Sequence, residues 1–384
     1  MLNPVVAQGL ADAIGDLYAD AEAQLLDTIA RRVARGLDTP RWAEIQLQEV
    51  SRLRAEARGI AARLDVDGTA MIQDAITTAY MRGETSADAD IARARRAGVS
   101  FSSTGVVDTA AVGALAAETI NATRTAQNYI LRSTDDAYRR VIADVTGRVV
   151  TGAATRQAVT QQALNRLARE GITGFVDKAG RRWQASSYVE MALRTSVGRS
   201  MLAGHSDRLA SAGYDLVIIS SHPNPAPMCQ PFEGQILSLS GGTKGTVHTN
   251  SALDGSPITV EVFASMAEAE MQGLHHPNCR HSHTLFVPGA STPEVAPYDP
   301  QGYLDSQQQR YLERGVRAAK NQQAVAITPE AQTKARARVR SWQARAAEHS
   351  ERTGIPRRYD RERVQVGDPT APDVKAQQLA RVRN

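Results

Sequence analysis

The chain has 384 residues, enough for two or three domains, and its 5% aromatic content favours stacked helical layers over one large globular core. A net charge of +4 is too small to demand a nucleic-acid partner by itself, and two cysteines cannot build a disulfide framework. No segment has the pattern of a signal peptide or the length of a membrane span, so cytoplasmic assembly without a membrane partner is expected.

In chain order, Asn3-Pro4 reads as a helix start, and Val6, Leu10, Ile14, Leu17, Ala21, Leu25, Ile29 and Val33 follow at steps of three or four. Gly36 and Asp38-Thr39-Pro40 end that helix and open another, and the two should form an antiparallel hairpin. Helical pattern continues through Met71 to Ala97, breaks over Gly98 to Gly105, resumes from Asp108 to about Ala143, and returns from Ala154 to Glu170. Gly171 to Trp183 is rich in turn formers and predicts a short hairpin or loop. Ser187 to Glu190 has the spacing of a capping box ahead of a helix that runs to about Ala212.

The pattern then changes. Tyr214 to Ser220 is a β-branched apolar run, read as a buried strand, and Gln235 to Leu239, Ile258 to Phe263 and Thr284 to Val287 are further strands. Gly241 to Gly255 reads as loop, and Ala264 to Met271 as a short helix. Pro288 to Pro300 is a linker, followed by helices from Tyr303 to Val325 and from Thr328-Pro329-Glu330 to about Thr353, where Gly354-Ile355-Pro356 stops the second helix. The residues from Pro369 onward are expected to be mobile. The expected fold class is α+β, predominantly helical, with a helical region over 1–179, a small mixed domain over 180–288, and a linker with a basic helical arm over 289–384.

The rare chemistry sits in two loops. Leu274 to Phe286 holds four of the eight histidines and one of the two cysteines; Cys229 lies in the other loop, Ser221 to Gly234. His222, Cys229, Cys279 and His281 offer two thiolates and two imidazoles, a set that suits structural zinc, with His276 and His283 as spare ligands. A metal closing a fifty-residue loop would stabilise a domain with a thin core. The alternative is that both cysteines are small buried thiols. An enzymatic reading takes His275, His276, Asn278 and His281 for a metal-dependent nuclease or hydrolase, with Glu233 as general base. The order and flanks of these residues do not make the hairpin and helix such nucleases need, so no catalytic residue and no small-molecule substrate is assigned. His205, on a helix, reads as a surface or packing residue with nothing nearby that shares its chemistry.

From Arg310 onward there are 17 Lys/Arg against 8 Asp/Glu, which leaves the first 309 residues at about −5. Lys334, Arg336, Arg338 and Arg340 alternate with small apolar residues, and Arg357 and Arg358 follow the turn. These six are the candidate contacts to DNA phosphate, against the alternative of a solvated helix face.

Several short motifs occur in a telling order: Tyr188-Val189-Glu190-Met191-Ala192-Leu193-Arg194-Thr195, Gly213-Tyr214-Asp215-Leu216-Val217, Ser220-Ser221-His222, Pro227-Met228-Cys229, Glu233-Gly234-Gln235 and His276-Pro277-Asn278-Cys279-Arg280-His281-Ser282. With Gln309 to Lys320 and Gly354 to Arg358, they resemble the tailed-phage minor capsid protein 2 family, a relative of the Mu-type minor head proteins. The resemblance implies a non-enzymatic structural component of a phage or prophage head. It would be assembled in the host cytoplasm and lie in the head interior, with portal and head proteins and packaged double-stranded DNA as partners. A further alternative is an assembly factor absent from the mature particle. Mu-type relatives tend to end the second loop with a cysteine where this chain has His281, which keeps a metal-ligand type.

Overall fold

A computed structural model describes residues 4–99, 110–150, 155–171, 175–176, 180, 182–183 and 185–364. Four helices come first: α1 (Pro4–Ala34), α2 (Trp42–Arg96), α3 (Ala110–Val150) and α4 (Arg156–Glu170). The expected cap at Asn3 and the tail beyond Pro369 lie outside the described residues. α1 and α2 form the antiparallel hairpin, because Tyr18 meets Gly68 near its open end while Arg32 bonds Glu49 and Glu56 at 2.5 Å near the turn. Trp42 closes that turn by donating its indole N–H to the Val33 carbonyl at 2.9 Å. Leu10, Ile14, Leu17, Leu25 and Ile29 of the α1 stripe are all buried, with Leu53, Ile60, Leu64 and Ile72 of α2.

The turn-rich segment contains a two-residue antiparallel pair, β1 (Phe175–Val176) with β2 (Arg182–Trp183), and leads into α5 (Ala185–Ser211). The expected capping box does not form. The helix already begins at Ala185, so Ser187 lies inside its first turn, and Glu190 turns away to Arg194 at 2.5 Å and Arg317 at 3.0 Å. α5 belongs to two cores at once: Val189, Leu193, Val197 and Met201 sit in the helical core, while Leu209 packs with the sheet.

The crossing of α5 on α2 is unusually close. A Cβ on Gly204 would overlap the Tyr80 carbonyl oxygen, and one on Gly83 would overlap the Met201 carbonyl oxygen. Backbone stands against backbone there, so neither neighbour can yield by rotating a side chain. Gly204→Ala is therefore expected to cost about 1–3 kcal/mol as overpacking, beyond anything helix propensity returns. A urea midpoint equal to wild type would show that the crossing is looser than this.

The mixed region is built on a four-stranded sheet in the order β7-β4-β3-β8. Its strands are β3 (Leu216–Ile219), β4 (Ile236–Ser238), β7 (Ala264–Ser265) and β8 (His283–Leu285), antiparallel except where β4 meets β7. Gly241 to Gly255 is not all loop: β5 (Gly245–Asn250) pairs antiparallel with β6 (Pro257–Val262) from Gly245↔Val262 to Asn250↔Pro257. β5 alternates half-buried and exposed residues and has a weak apolar signature, so its pairing rests on cross-strand partners such as Thr246 Oγ1 to Glu261 at 2.8 Å. A capping box does form at Ser265 and Glu268, at the start of the short α6 (Met266–Met271).

α7 (Pro300–Ala324) and α8 (Pro329–Thr353) form the arm, with Asp299 and Thr328 as caps and Gly354 in the left-handed region at φ 71°. The arm folds back on the body. Arg317 of α7 pairs with Glu190, Arg358 pairs with Asp12 at 3.2 Å, and Val325 joins the helical core. Burial opposes ionisation of Glu190, but the charges of Arg317 and Arg194 outweigh it and hold the carboxyl down to about 2. A depressed carboxylate contributes stability above its unfolded value near 4.5 that is lost as pH falls toward 2, on the order of 2–3 kcal/mol here. Glu190→Gln should flatten that part of the stability–pH curve between pH 5 and 2; an unchanged acid slope would remove the assignment.

Candidate functional site

Three elements bring the two loops together. β3 delivers the chain into Ser220-Ser221-His222, a 3-10 turn over Gln230–Phe232 follows Cys229, and β8 begins two residues after His281. Because β3 and β8 are neighbours, with Ile219 opposite His283, the first loop faces the end of the second. Glu233 fastens one to the other. Its carboxylate accepts from Ser221 Oγ at 3.0 Å, the His222 backbone N–H at 2.9 Å and His281 Nε2 at 2.8 Å.

The second loop is bent by two non-glycine residues with positive φ, His275 at 56° and Asn278 at 66°. That bend turns Cys279 toward Cys229, and their sulfurs lie 3.6 Å apart as free thiols. A tetrahedral ion with metal–sulfur bonds of about 2.3 Å would space two thiolates by about 3.8 Å, so the pair is spaced for one ion. Cys229, His276 and Cys279 offer donor atoms all within 4.8 Å of one another and can hold a metal ion. His276 places Nδ1 2.8 Å from the Pro277 carbonyl, which selects the tautomer with Nε2 free.

His222, Glu233 and His281 form a second such group, within the same 4.8 Å limit. His222 stacks on His281 with ring centroids 4.5 Å apart and does not join the thiols. His281 stands between the groups, Nδ1 3.4 Å from Cys279 Sγ and Nε2 on Glu233. The four residues singled out from sequence thus occupy one continuous site in the order His222, His281, Cys279, Cys229, with His276 beside the thiols.

Electrostatics follow this order. The hydrogen bond from Cys229, aided against burial by His275 and His281, holds Cys279 well below the ordinary thiol range, and the same contact with burial raises Cys229. Burial alone would lower His281, but Cys279 and Glu233 outweigh it and raise it. Burial, with the charges of His281 and Arg280, pushes His222 down to about 4.

The sequence reading missed a further polar cluster. His205 is fully buried, and its surroundings do share its chemistry: Nε2 lies 3.2 Å from Asp90 Oδ2, and the ring meets His283 edge-on at 4.9 Å. Asp90 is near the end of α2, over a hundred residues from its partners, so no local spacing could have revealed it. His283, the other spare ligand, is turned to Ser206 Oγ at 3.0 Å and belongs to this cluster rather than to the thiols.

Of the six basic residues, Lys334, Arg336, Arg338 and Arg340 are exposed on α8, whose buried stripe is Ala335, Val339 and Ala346. Arg338 also donates to Gln322 at 3.1 Å. Arg357 is engaged bidentately with Glu362 at 2.5 and 2.6 Å, and Arg358 with Asp360 and Asp12. Among the described residues no helix is long and apolar enough to cross a membrane.

A protein of Lactococcus phage LL-H described as "Structural protein" is 25% identical over 238 residues, covering 60% of this chain and 62% of its own length. No solved structure matches the chain. The family model described as phage minor capsid protein 2 matches residues 2–350, and with the Cys/His loops, the sheet and all but the end of α8 inside that span, the chain belongs to the phage minor capsid protein 2 family.

Proposed function

We propose that this minor capsid protein is a non-enzymatic component of the head interior, seated near the portal and packaged DNA, with its two loops stapled by one structural zinc ion. Family membership over 2–350 is the observation that carries the structural role. The metal reading is supported by the 3.6 Å spacing of the two sulfurs and by a ring nitrogen of His276 within 4.8 Å of both. We assign His281 Nδ1 as the fourth ligand. Its Nε2 bond to Glu233 is the carboxylate–histidine pairing that orients metal-bound imidazoles. A zinc closed by four protein ligands has no open position for substrate, which fits structure rather than hydrolysis.

The test of the role is quantitative mass spectrometry of purified virions, emptied heads and detached tails. A low, fixed ratio to the major shell protein in full and emptied heads is expected. Absence from particles would replace this reading with an assembly factor that leaves before maturity. For DNA, Lys334, Arg336 and Arg340 carry the proposal, because Arg357 and Arg358 already have carboxylate partners. Replacing the three with alanine should lower the slope of log affinity against log salt by about 0.9 per residue. An unchanged slope would make α8 a solvated face.

A further inference from the structure

A cavity of about 450 Å³ opens between α5, α7 and the segment after Gly354, and its walls are arginine-rich. Arg194 comes from α5, Arg310, Arg314 and Arg317 from α7, and Arg361 from the 3-10 turn Tyr359–Glu362; Glu190 and Glu313 are the only carboxylates among its lining residues. Positions 310, 314 and 317 fall on one face of α7, so the clustering is built into the helix rather than made by chance contact.

The carboxylates do not balance the site. Glu190 is taken by Arg194 and Arg317, and Arg194 also bonds Asp12 at 2.7 Å. Glu313 stands 3.9 Å from Arg361, too far for a hydrogen bond, and burial raises its carboxyl toward the neutral form. Arg361 has only 13% of its side chain exposed, and its buried Nε has no partner. Arg310 is half-buried and has no hydrogen-bonded partner among the described residues. Burial, then the charges of Arg361, Arg194 and Arg280, push Arg310 down to about 10, still protonated at neutral pH. Nearby Arg280 donates to neutral oxygens of Asn224.

Buried guanidinium groups without acceptors are costly unless something supplies negative charge. We propose that this cavity is an oxyanion site for a phosphate-class dianion, gripped by Arg310 and Arg361 and closed toward solvent by Arg314. Guanidinium forks match phosphate oxygens in pairs, and a dianion offsets the excess charge better than one carboxylate. The cavity has the volume of a small-molecule site and is too small to admit a duplex. The phosphate can come from a free anion or from the 5′-phosphate of a nucleic-acid strand.

The full chain would be titrated calorimetrically with sodium pyrophosphate, with sodium chloride balancing ionic strength. Saturable binding is expected, together with a rise in melting temperature that chloride alone does not produce. Arg310→Gln should weaken pyrophosphate at least about tenfold while melting no lower than wild type without anion, because it removes an unanswered cation. Should that variant fail to fold, Arg314→Gln, at an exposed position, should weaken binding several-fold with unchanged melting. No saturable heat, or unweakened binding by these variants, overturns the proposal. Competition by a 5′-phosphorylated oligonucleotide but not by its 5′-hydroxyl twin identifies the strand end as the source, and competition by neither identifies the free anion. Equal competition by both would mean backbone binding elsewhere and would also overturn it.

Discussion

Stripping metal from the full-length protein is expected to lower its stability by more than about 4 kcal/mol, the gain from a ligand held a thousandfold above its dissociation constant. The loss should be concentrated in the mixed sheet region, because the ion would join Cys229 to Cys279 across fifty residues. Elemental analysis should find about one zinc per chain, and a strong chelator should lower the melting temperature reversibly. Cys279→Ser and His276→Ala should each lose the metal. His222→Ala should keep it, since His222 stacks on His281 without approaching the sulfurs. Metal lost from His222→Ala and retained in His276→Ala would reverse that ligand assignment. A protein without zinc, indifferent to chelator, would leave two buried thiols and nothing more.

Asp90→Ala is expected to cost about 3–5 kcal/mol, the range for breaking a buried charge-assisted cluster from one side. Asp90 Oδ2 accepts from Thr284 Oγ1 at 2.8 Å, the Leu285 N–H at 3.2 Å and His205 Nε2, while Arg93 holds the other oxygen. Burial works against its ionisation, but these contacts outweigh it and hold the carboxyl far below the usual range. Removal would strand a strand N–H and an imidazole inside the core, and it would cut the tie between α2 and β8. Asp90→Asn keeps one acceptor and should cost about half as much. Zinc affinity should fall in both, because β8 begins two residues after His281. A change of less than about 1 kcal/mol in Asp90→Ala, by urea denaturation, would show that the body and the sheet are joined elsewhere.

Local signals carried the elements whose chemistry is local. Thr328 and Gly354 cap α8 at the two ends where they were expected, the α1 stripe is buried from Leu10 to Val33, and the run through Leu216–Ile219 is a strand in the middle of its sheet. The two Cys/His loops were legible too, since rare residue types concentrated between strands have few structural uses. β5 was not, because a polar strand owes its pairing to β6 rather than to its own pattern. Nor was the position of the capping box: Ser187-Tyr188-Val189-Glu190 and Ser265-Met266-Ala267-Glu268 have the same spacing, but Arg194 and Arg317 draw Glu190 away.

By itself, then, the sequence determined most of the helices, a small mixed sheet region and the loops that hold the reactive residues, because caps, periodicity and composition act within a few positions. Only tertiary structure decided that His276 rather than His222 stands beside the two thiols, that Asp90 and His205 meet, and that Arg310 and Arg361 face one cavity. Those outcomes depend on where separate elements cross and which way a loop turns, and such geometry is set by packing between residues far apart in the chain.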